Sequence, residues 1–378
     1  MSGLAQAQQV PAAIPTLSTV VIQAQDQNAV TETTEGTGSY TTGKAKTATP
    51  LTMSLRDTPQ SVSVVTQQRI QDQGLQSIAD VVNNTTGVSV RQYETHRGQF
   101  ISRGFDVNTL MIDGIPTTWD QAWSSGELMT SMALFDRVEV VRGATGLTTG
   151  AGDPSAAINM VRKRASSKEL TGSVELGLGT WNQRRALADV STPLNESKTF
   201  RGRVVAEQSQ GGTWVDDLSN KNQTVLATVE ADLSPNTLLS AGVSRQSNAP
   251  KGSMWGGLPV WYSNGARTDW DRSKTTAADW TRYDTHYENY YGSLEHTLDN
   301  DWKLKASYNA GERDADSYLL YVYGNPDIST GLGMSTWPGS YKVKTRQEDL
   351  SLQAHGPVKL LGRTHEVAVG YVLSLIHI

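Results

Sequence analysis

The chain has 378 residues, a formal charge of −5 and no cysteine. That length allows two or more domains, the charge supplies no basic stripe for nucleic acid, and neither disulfides nor thiolate metal sites can form. Trp (10) and Tyr (13) outnumber Phe (4), which favours rings with one wet end; no apolar run reaches the about 18 residues of a membrane helix, which leaves an alternating β-barrel open.

Residues 1–50 read as a flexible arm. Ala5 and Ala7 form an A-x-A like the end of a secretory signal, so a signal-peptide remnant is expected there. Residues 8–50 are rich in Ala, Thr, Gln and Gly with little apolar content. The β-prone patch Ser18–Gln23 (STVVIQ) suits either capture by another protein's sheet edge or a chance cluster in a linker.

Residues 51–165 read as a compact α+β domain. Ser61–Thr66 predicts a strand, and Gln67–Asn83 a helix with Ile70, Leu75, Ile78, Val81 and Val82 on one face, interrupted by Gly74. Short strands are expected at Val88–Val90, Thr109–Ile112, Val138–Val141 and Ala157–Val161. The stretch VEVVRGATGLTTGAG (138–152) looks like a phosphate loop but is not one. Gly146 and Gly150 have the wrong P-loop spacing with Ala151 where Lys is required, and Gly150-Ala151-Gly152 runs into Asp153-Pro154 without the third glycine of a dinucleotide fingerprint.

From 166 to 373 the texture becomes that of amphipathic strands. Val225, Ala227, Val229, Ala231 and Leu233 lie on one face, opposite Thr224, Thr228, Glu230 and Asp232, with Leu226 the exception. Trp302, Leu304, Ala306, Tyr308 and Ala310 likewise oppose Lys303, Lys305, Ser307 and Asn309. The joints alternate. Leu194–Lys198, Ser234–Asn236, Asp299–Asp301 and Leu360–Gly362 are tight; Ser209–Asn222, Asn248–Tyr283 and Tyr318–Val343 are long, with Thr180–Gln183 the one short joint at that end. Short turns at one end and long loops at the other mark an outer-membrane barrel in contact with outer-membrane lipid, and Trp302 falls where an interfacial aromatic girdle would lie. Residues 373–378 (LSLIHI) read as a non-native tail interrupting a strand, so an N-terminal fragment is expected. The fold expected is an α+β domain followed by an incomplete antiparallel transmembrane β-barrel of about nine strands.

Several motifs, in order, resemble the TonB-dependent outer-membrane siderophore receptors. They are DTPQSVSVVT (57–66), Arg103-Gly104-Phe105, Asp113-Gly114-Ile115-Pro116, RVEVVRG (137–143) and Gly150-Ala151-Gly152 through Ile158-Asn159-Met160-Val161. TEGTGSY (34–40) and Pro250-Lys251-Gly252-Ser253 are most similar to the ferripyoverdine and ferric-coprogen receptors. The resemblance implies an α+β plug domain, 51–165, folded inside an incomplete antiparallel transmembrane β-barrel that has about nine strands of about 22, and a glycine-rich loop that serves packing rather than phosphate. It implies a ferric siderophore as transported ligand, with iron held by the siderophore and no cofactor of the protein's own. It also implies energy from the TonB complex, taken up through a TonB box for which Thr19, Val20, Val21 and Ile22 are the candidate. Residues 1–50 leave no room for the signalling domain some such receptors carry, unless a start missing from this sequence contained it.

Large, partly planar chelates need aromatic surface and a few fixed donors. Tyr93 and Arg97, in the loop RQYETHRGQF (91–100), are expected by the resemblance to face the ligand from the plug apex, Arg97 by a charge-assisted bond and Tyr93 by stacking. Trp255, Trp261, Tyr262, Trp270 and Trp280 crowd one long loop and its borders; Trp255 and Trp280 match pocket-lining positions of the family, and Trp261 and Tyr262 are further candidates. His96, His286, His296, His355, His365 and His377 are scattered without H-E-x-x-H, and no G-x-S-x-G occurs, so the chain is not expected to be an enzyme or to hold a metal. A same-fold receptor for cobalamin or a glycan, and a β-rich surface adhesin, remain the alternatives.

Overall fold

The computed structural model describes residues 33–48, 51, 53–119, 126–143 and 154–378. A two-residue pair, β1 (Lys44–Ala45) with β2 (Met53–Ser54), precedes β3 (Ser61–Val65), α1 (Gln67–Asp72) and α2 (Ile78–Asn83). The helical run divides where Gly74 takes φ +61, and Ser77 restarts it with a capping box to Asp80. Then follow β4 (Ser89–Gln92), β5 (Gly98–Ser102), β6 (Phe105–Asp106), β7 (Thr109–Ile112), β8 (Ile115–Thr117), β9 (Phe135–Arg142) and β10 (Ala156–Arg162). Strands β3-β9-β10-β7-β8 make one sheet with β10 parallel to β7; β4-β5-β6 make a second, antiparallel one. Asp113 and Gly114, with φ 52 and 82, turn β7 into β8. Ile70, Ile78, Val81, Phe100, Leu110, Phe135, Val138, Val140, Ile158 and Met160 form the plug core.

The polar segment expected as part of a flexible arm is built into this unit from Thr33 onward, which corrects the expected boundary. Asp136 accepts from the backbone N–H groups of Thr34 (2.8 Å) and Glu35 (3.0 Å) and from the hydroxyls of Thr33 and Thr34. Glu139 accepts from the Thr47 hydroxyl at 2.5 Å and the Lys46 N–H at 3.2 Å. Low apolar content signals disorder only when polar side chains lack partners; here two buried carboxylates supply them.

Nine strands then form a single antiparallel meander: β11 (Thr171–Gly179), β12 (Gln183–Pro193), β13 (Phe200–Gly212), β14 (Ser219–Ser234), β15 (Thr237–Asn248), β16 (Arg282–Thr297), β17 (Lys303–Tyr323), β18 (Ser335–Leu360) and β19 (Arg363–His377). The sheet is open, with β11 and β19 at its edges. Leu373–His377, expected as a foreign tail, pair with Leu350–Arg346 and continue β19. Two joints are shorter than expected: 213–218 and 324–334 replace the long loops, because β13, β14, β17 and β18 continue beyond the last apolar residue of each pattern.

The apolar face points outward. Val225, Val229, Val243, Tyr290, Leu294, Leu304, Tyr308, Leu350 and Leu352 are exposed, while Thr224, Thr228, Glu230, Gln246, Asn289, Asp349 and Ser351 are buried on the face toward the plug. Such inversion fits lipid outside and a filled lumen. Leu226, the exception to the pattern, is fully buried and joins Leu187 and Val205 in the plug core. The outward row changes character at Arg245, Glu288, Glu312 and Arg346, which sit side by side across β15–β18. From Trp302 to Glu312 the chain rises about 34 Å, or about 26 Å along the membrane normal at a tilt near 40°, close to the apolar height of such barrels. Trp302 marks the lower rim, its indole N–H donating to the Pro357 carbonyl at 3.2 Å.

Plug and wall meet through polar groups. Lys163 pairs with Asp189 (2.9 Å) and Arg164 with Glu230 (2.6 Å). The Ser131 N–H donates to Gln246 at 2.8 Å, and Gln347 bridges the Pro116 carbonyl (2.7 Å) and the Thr118 N–H (2.9 Å).

Candidate functional site

The β4–β5 hairpin forms the plug apex. Its backbones approach closely at Gly98, where a Cβ would lie 2.9 Å from the Arg91 carbonyl oxygen, so a side chain there would force the strands apart. The Tyr93 N–H closes the turn onto the Arg97 carbonyl at 3.0 Å. Tyr93 is exposed, and the Arg91 guanidinium lies 5.6 Å from its ring centre. Arg97 grips Glu94 with two guanidinium nitrogens, one bond 3.1 Å long, leaving the arginine side chain 19% exposed and the glutamate 4%. The cation at the apex is therefore already charge-balanced.

Three contacts clasp this hairpin to the wall and to loop 249–281. The Thr95 hydroxyl accepts from the Met254 N–H at 3.1 Å, and Glu94 accepts from the Gly256 N–H at 3.4 Å. His96 is buried with Nε2 3.2 Å from Asn220 Oδ1, and its ring stacks on Tyr283 with centres 6.2 Å apart. Burial pushes its pKa down to about 4 against the weaker opposing effect of Asn220, so the ring is neutral at pH 7.

Between the two loop residues held by the apex sits Trp255. It meets Tyr341 (5.4 Å between ring centres) and Tyr321 (5.7 Å) edge-on, and Trp337 at 6.4 Å. Tyr323 stacks on Tyr321 at 6.3 Å. Gly256 permits this packing, since its φ is +80 and a Cβ would lie 2.8 Å from Tyr321. Trp337, Tyr321 and Tyr323 keep 62%, 40% and 50% of their surface exposed, so the cluster presents ring faces and edges to an incoming molecule.

The structure thus brings Tyr93, Arg97 and Trp255 together around one clasp. Trp261 and Tyr262 belong to a separate small turn, in which the Tyr262 N–H donates to the Ala266 carbonyl at 2.8 Å, and that turn rests on 324–334 through Ser263 and Pro326. Trp280 is exposed just before β16, and Trp270 donates to the Pro259 carbonyl at 2.8 Å. Among the described residues none of these joins the ring contacts of Trp255. The TonB-box candidate Thr19–Ile22 and glycine-rich residues 144–153 lie outside the described residues. Sequence reasoning missed Tyr321, Tyr323, Trp337 and Tyr341. The signal for Tyr321 and Tyr323 was the apolar run YLLYVY (318–323), which a loop assignment hides; Trp337 and Tyr341 lie outside it.

Comparison with known proteins gives the same architecture. The TonB-dependent Receptor Plug Domain family matches residues 54–157. The Ferripyoverdine receptor of Pseudomonas aeruginosa is 39% identical over 349 residues, covering 91% of this chain and 42% of its own length. The Ferric-pyoverdine 358 receptor of Pseudomonas putida is 38% identical over 352 residues, covering 90% and 42%. The crystal structure of the P. aeruginosa outer-membrane ferripyoverdine receptor bound to ferripyoverdine superposes with a TM-score of 0.88 at 38% identity, over 91% of this chain and 46% of that one. The chain therefore spans less than half the length of the relatives it matches. Plug motif, inside-out sheet and these likenesses agree, and the chain belongs to the TonB-dependent outer-membrane receptors, of which it carries the plug and nine consecutive strands of barrel wall.

Proposed function

We propose that the protein to which this chain belongs binds a ferric siderophore of the pyoverdine class at its outer surface and imports it into the periplasm with energy from the TonB complex. The chelate brings its own oxygen ligands to iron, so the protein acts on the organic envelope and performs no bond chemistry. Tyr93 and Trp255 with its ring neighbours supply stacking surface; Arg97, held by Glu94, orients hydrogen-bond donors toward the anionic part of the chelate; Trp280, Trp261 and Tyr262 form an outer rim. Thr19–Ile22 is the segment offered to TonB as an added strand.

The observation that carries this reading is the clasp. Two stretches about 160 residues apart, each singled out for chelate chemistry, meet through Thr95–Met254 and Glu94–Gly256. Identity to receptors named for ferripyoverdine supports the ligand class. In the full-length receptor, Trp255→Ala should raise the dissociation constant for ferric pyoverdine at least tenfold, about 1.4 kcal/mol, while Trp261→Ala changes it by less than about threefold. Equal, small effects from both, measured by fluorescence quenching, would remove the site.

A further inference from the structure

Five Lys or Arg residues are buried among the described residues: Arg137, Arg162, Lys163, Arg201 and Arg313. Four have carboxylates. Arg137 holds Asp136 and Glu139, Arg162 holds Asp113 (2.6 Å), Lys163 holds Asp189 (2.9 Å) and Arg201 holds Asp232 (2.5 Å). Arg313, 3% exposed, has none, and its Nε and Nη2 lack any hydrogen-bond partner among the described residues. What it has is the face of Tyr287, directly opposite on β16, with the guanidinium carbon 3.6 Å from the ring centre. A cation–π contact compensates part of the lost hydration but leaves the charge and the in-plane donors unmatched.

The surroundings are shaped for an anion. Arg313 lines a cavity of about 10 Å³ with Thr117, Thr118, Tyr287, Asn309, Thr345 and Gln347. That is room for about one water-sized group. The nearest inward carboxylate on β18, Asp349, is already occupied by Gln347 (2.8 Å), Asn309 (2.9 Å) and Ser374 (2.6 Å). Glu312 and Asp314 flank Arg313 in sequence but point to the opposite face and pair with Lys344 and Arg346. Above Arg313 the same inward face of β17 carries Ala315, Ser317 and Leu319. The first and last of these pack with Tyr283, Trp255 and Tyr341, so the aromatic cluster begins about 7 Å farther up the strand and reaches Leu319 about 20 Å away. The opposite cavity wall is the β8 end of the plug, which pairs with β7 and is hydrogen-bonded to the barrel wall, among the described residues, through Gln347.

We propose that Arg313 is an inner anion subsite of the barrel wall, which takes a carboxylate of the passing ligand once the Thr117–Thr118 edge moves off it. The proposal rests on the import function put forward above. In the full-length receptor, binding and cellular uptake would be measured with a radioiron-labelled ferric pyoverdine bearing a free side-chain carboxylate and with the same chelate amidated there. Arg313→Gln should bind both within about twofold of wild type yet take up the carboxylate form at least fivefold more slowly, with the amide form slowed less than twofold. Arg313→Lys, which keeps the charge, should recover part of the difference. Equal slowing of both chelates, or no slowing, overturns the subsite, as does an Arg313→Gln protein that fails to fold while Arg313→Lys folds. If the wild-type receptor binds neither chelate, it is the function reading that fails.

Discussion

His96 shows how one side chain can condition the apex. Its pKa is about 4 when docked against 6.5 when free, so above pH 6.5 the ring is neutral in both states and docking is unaffected by pH. As pH falls from 6.5 toward 4 the undocked hairpin takes up a proton that the docked one refuses, and docking weakens by up to about 3 kcal/mol. The protection factors of the amides Glu94–Arg97, corrected for the intrinsic pH dependence of exchange, should therefore fall over that window, and His96→Gln should flatten the response. Other residues teach how far single-letter reasoning reaches. Trp255 was legible as a candidate because aromatic density is visible in the letters, and Tyr93 through the resemblance of its loop to the receptor family. Arg97 was legible as a residue but not as a partner of Glu94, because a pair within one turn depends on the hairpin's closure, which only the backbone reveals. Thr33 and Thr34 were read as linker for the same reason, their acceptor Asp136 lying about 100 residues away.

At the scale of strands, period-two alternation identified the wall and its inverted faces, and Trp302–Ala310 and Val225–Leu233 stand as read. It failed above the row Arg245–Glu288–Glu312–Arg346, where outward positions become charged. There β17 and β18 keep pairing, Asp314 to Lys344 and Tyr321 to Trp337, although the letters no longer set an apolar face against a polar one. This boundary is testable. Tyr308→Arg, inside the apolar band, should destabilise the folded receptor in bilayers by about 2–4 kcal/mol, whereas Glu312→Arg, just above it, should cost less than about 1 kcal/mol. Reversible unfolding from lipid vesicles would measure both. Similar costs at the two positions would mean that the band edge is misplaced.

For the whole molecule, the chain accounts for plug and leading wall but less than half the length of its relatives, so the import proposed above would belong to the complete receptor. Energy coupling through Thr19–Ile22, as proposed, would be separate from ligand binding. Val21→Pro removes a donor from the candidate TonB-captured strand, and should abolish uptake of ferric pyoverdine while leaving its binding constant unchanged. Loss of binding would assign those residues to the ligand site, and undiminished uptake would exclude them as the energy-coupling segment.

The boundary between plug and wall carries a last consequence. Among the described residues the wall gives Leu187, Val205 and Leu226 to the buried apolar cluster, Tyr287 and Tyr291 pack against it and Tyr283 stacks on His96; the other contacts described are ion pairs and amide or hydroxyl bonds. An oily seam resists parting at about 25 cal/mol for every Å² wetted, but a polar bond exchanged for water gives up only about 1 kcal/mol. A stopper lubricated this way can be gripped firmly at rest and still slide under a modest tug, without ever baring a sticky surface.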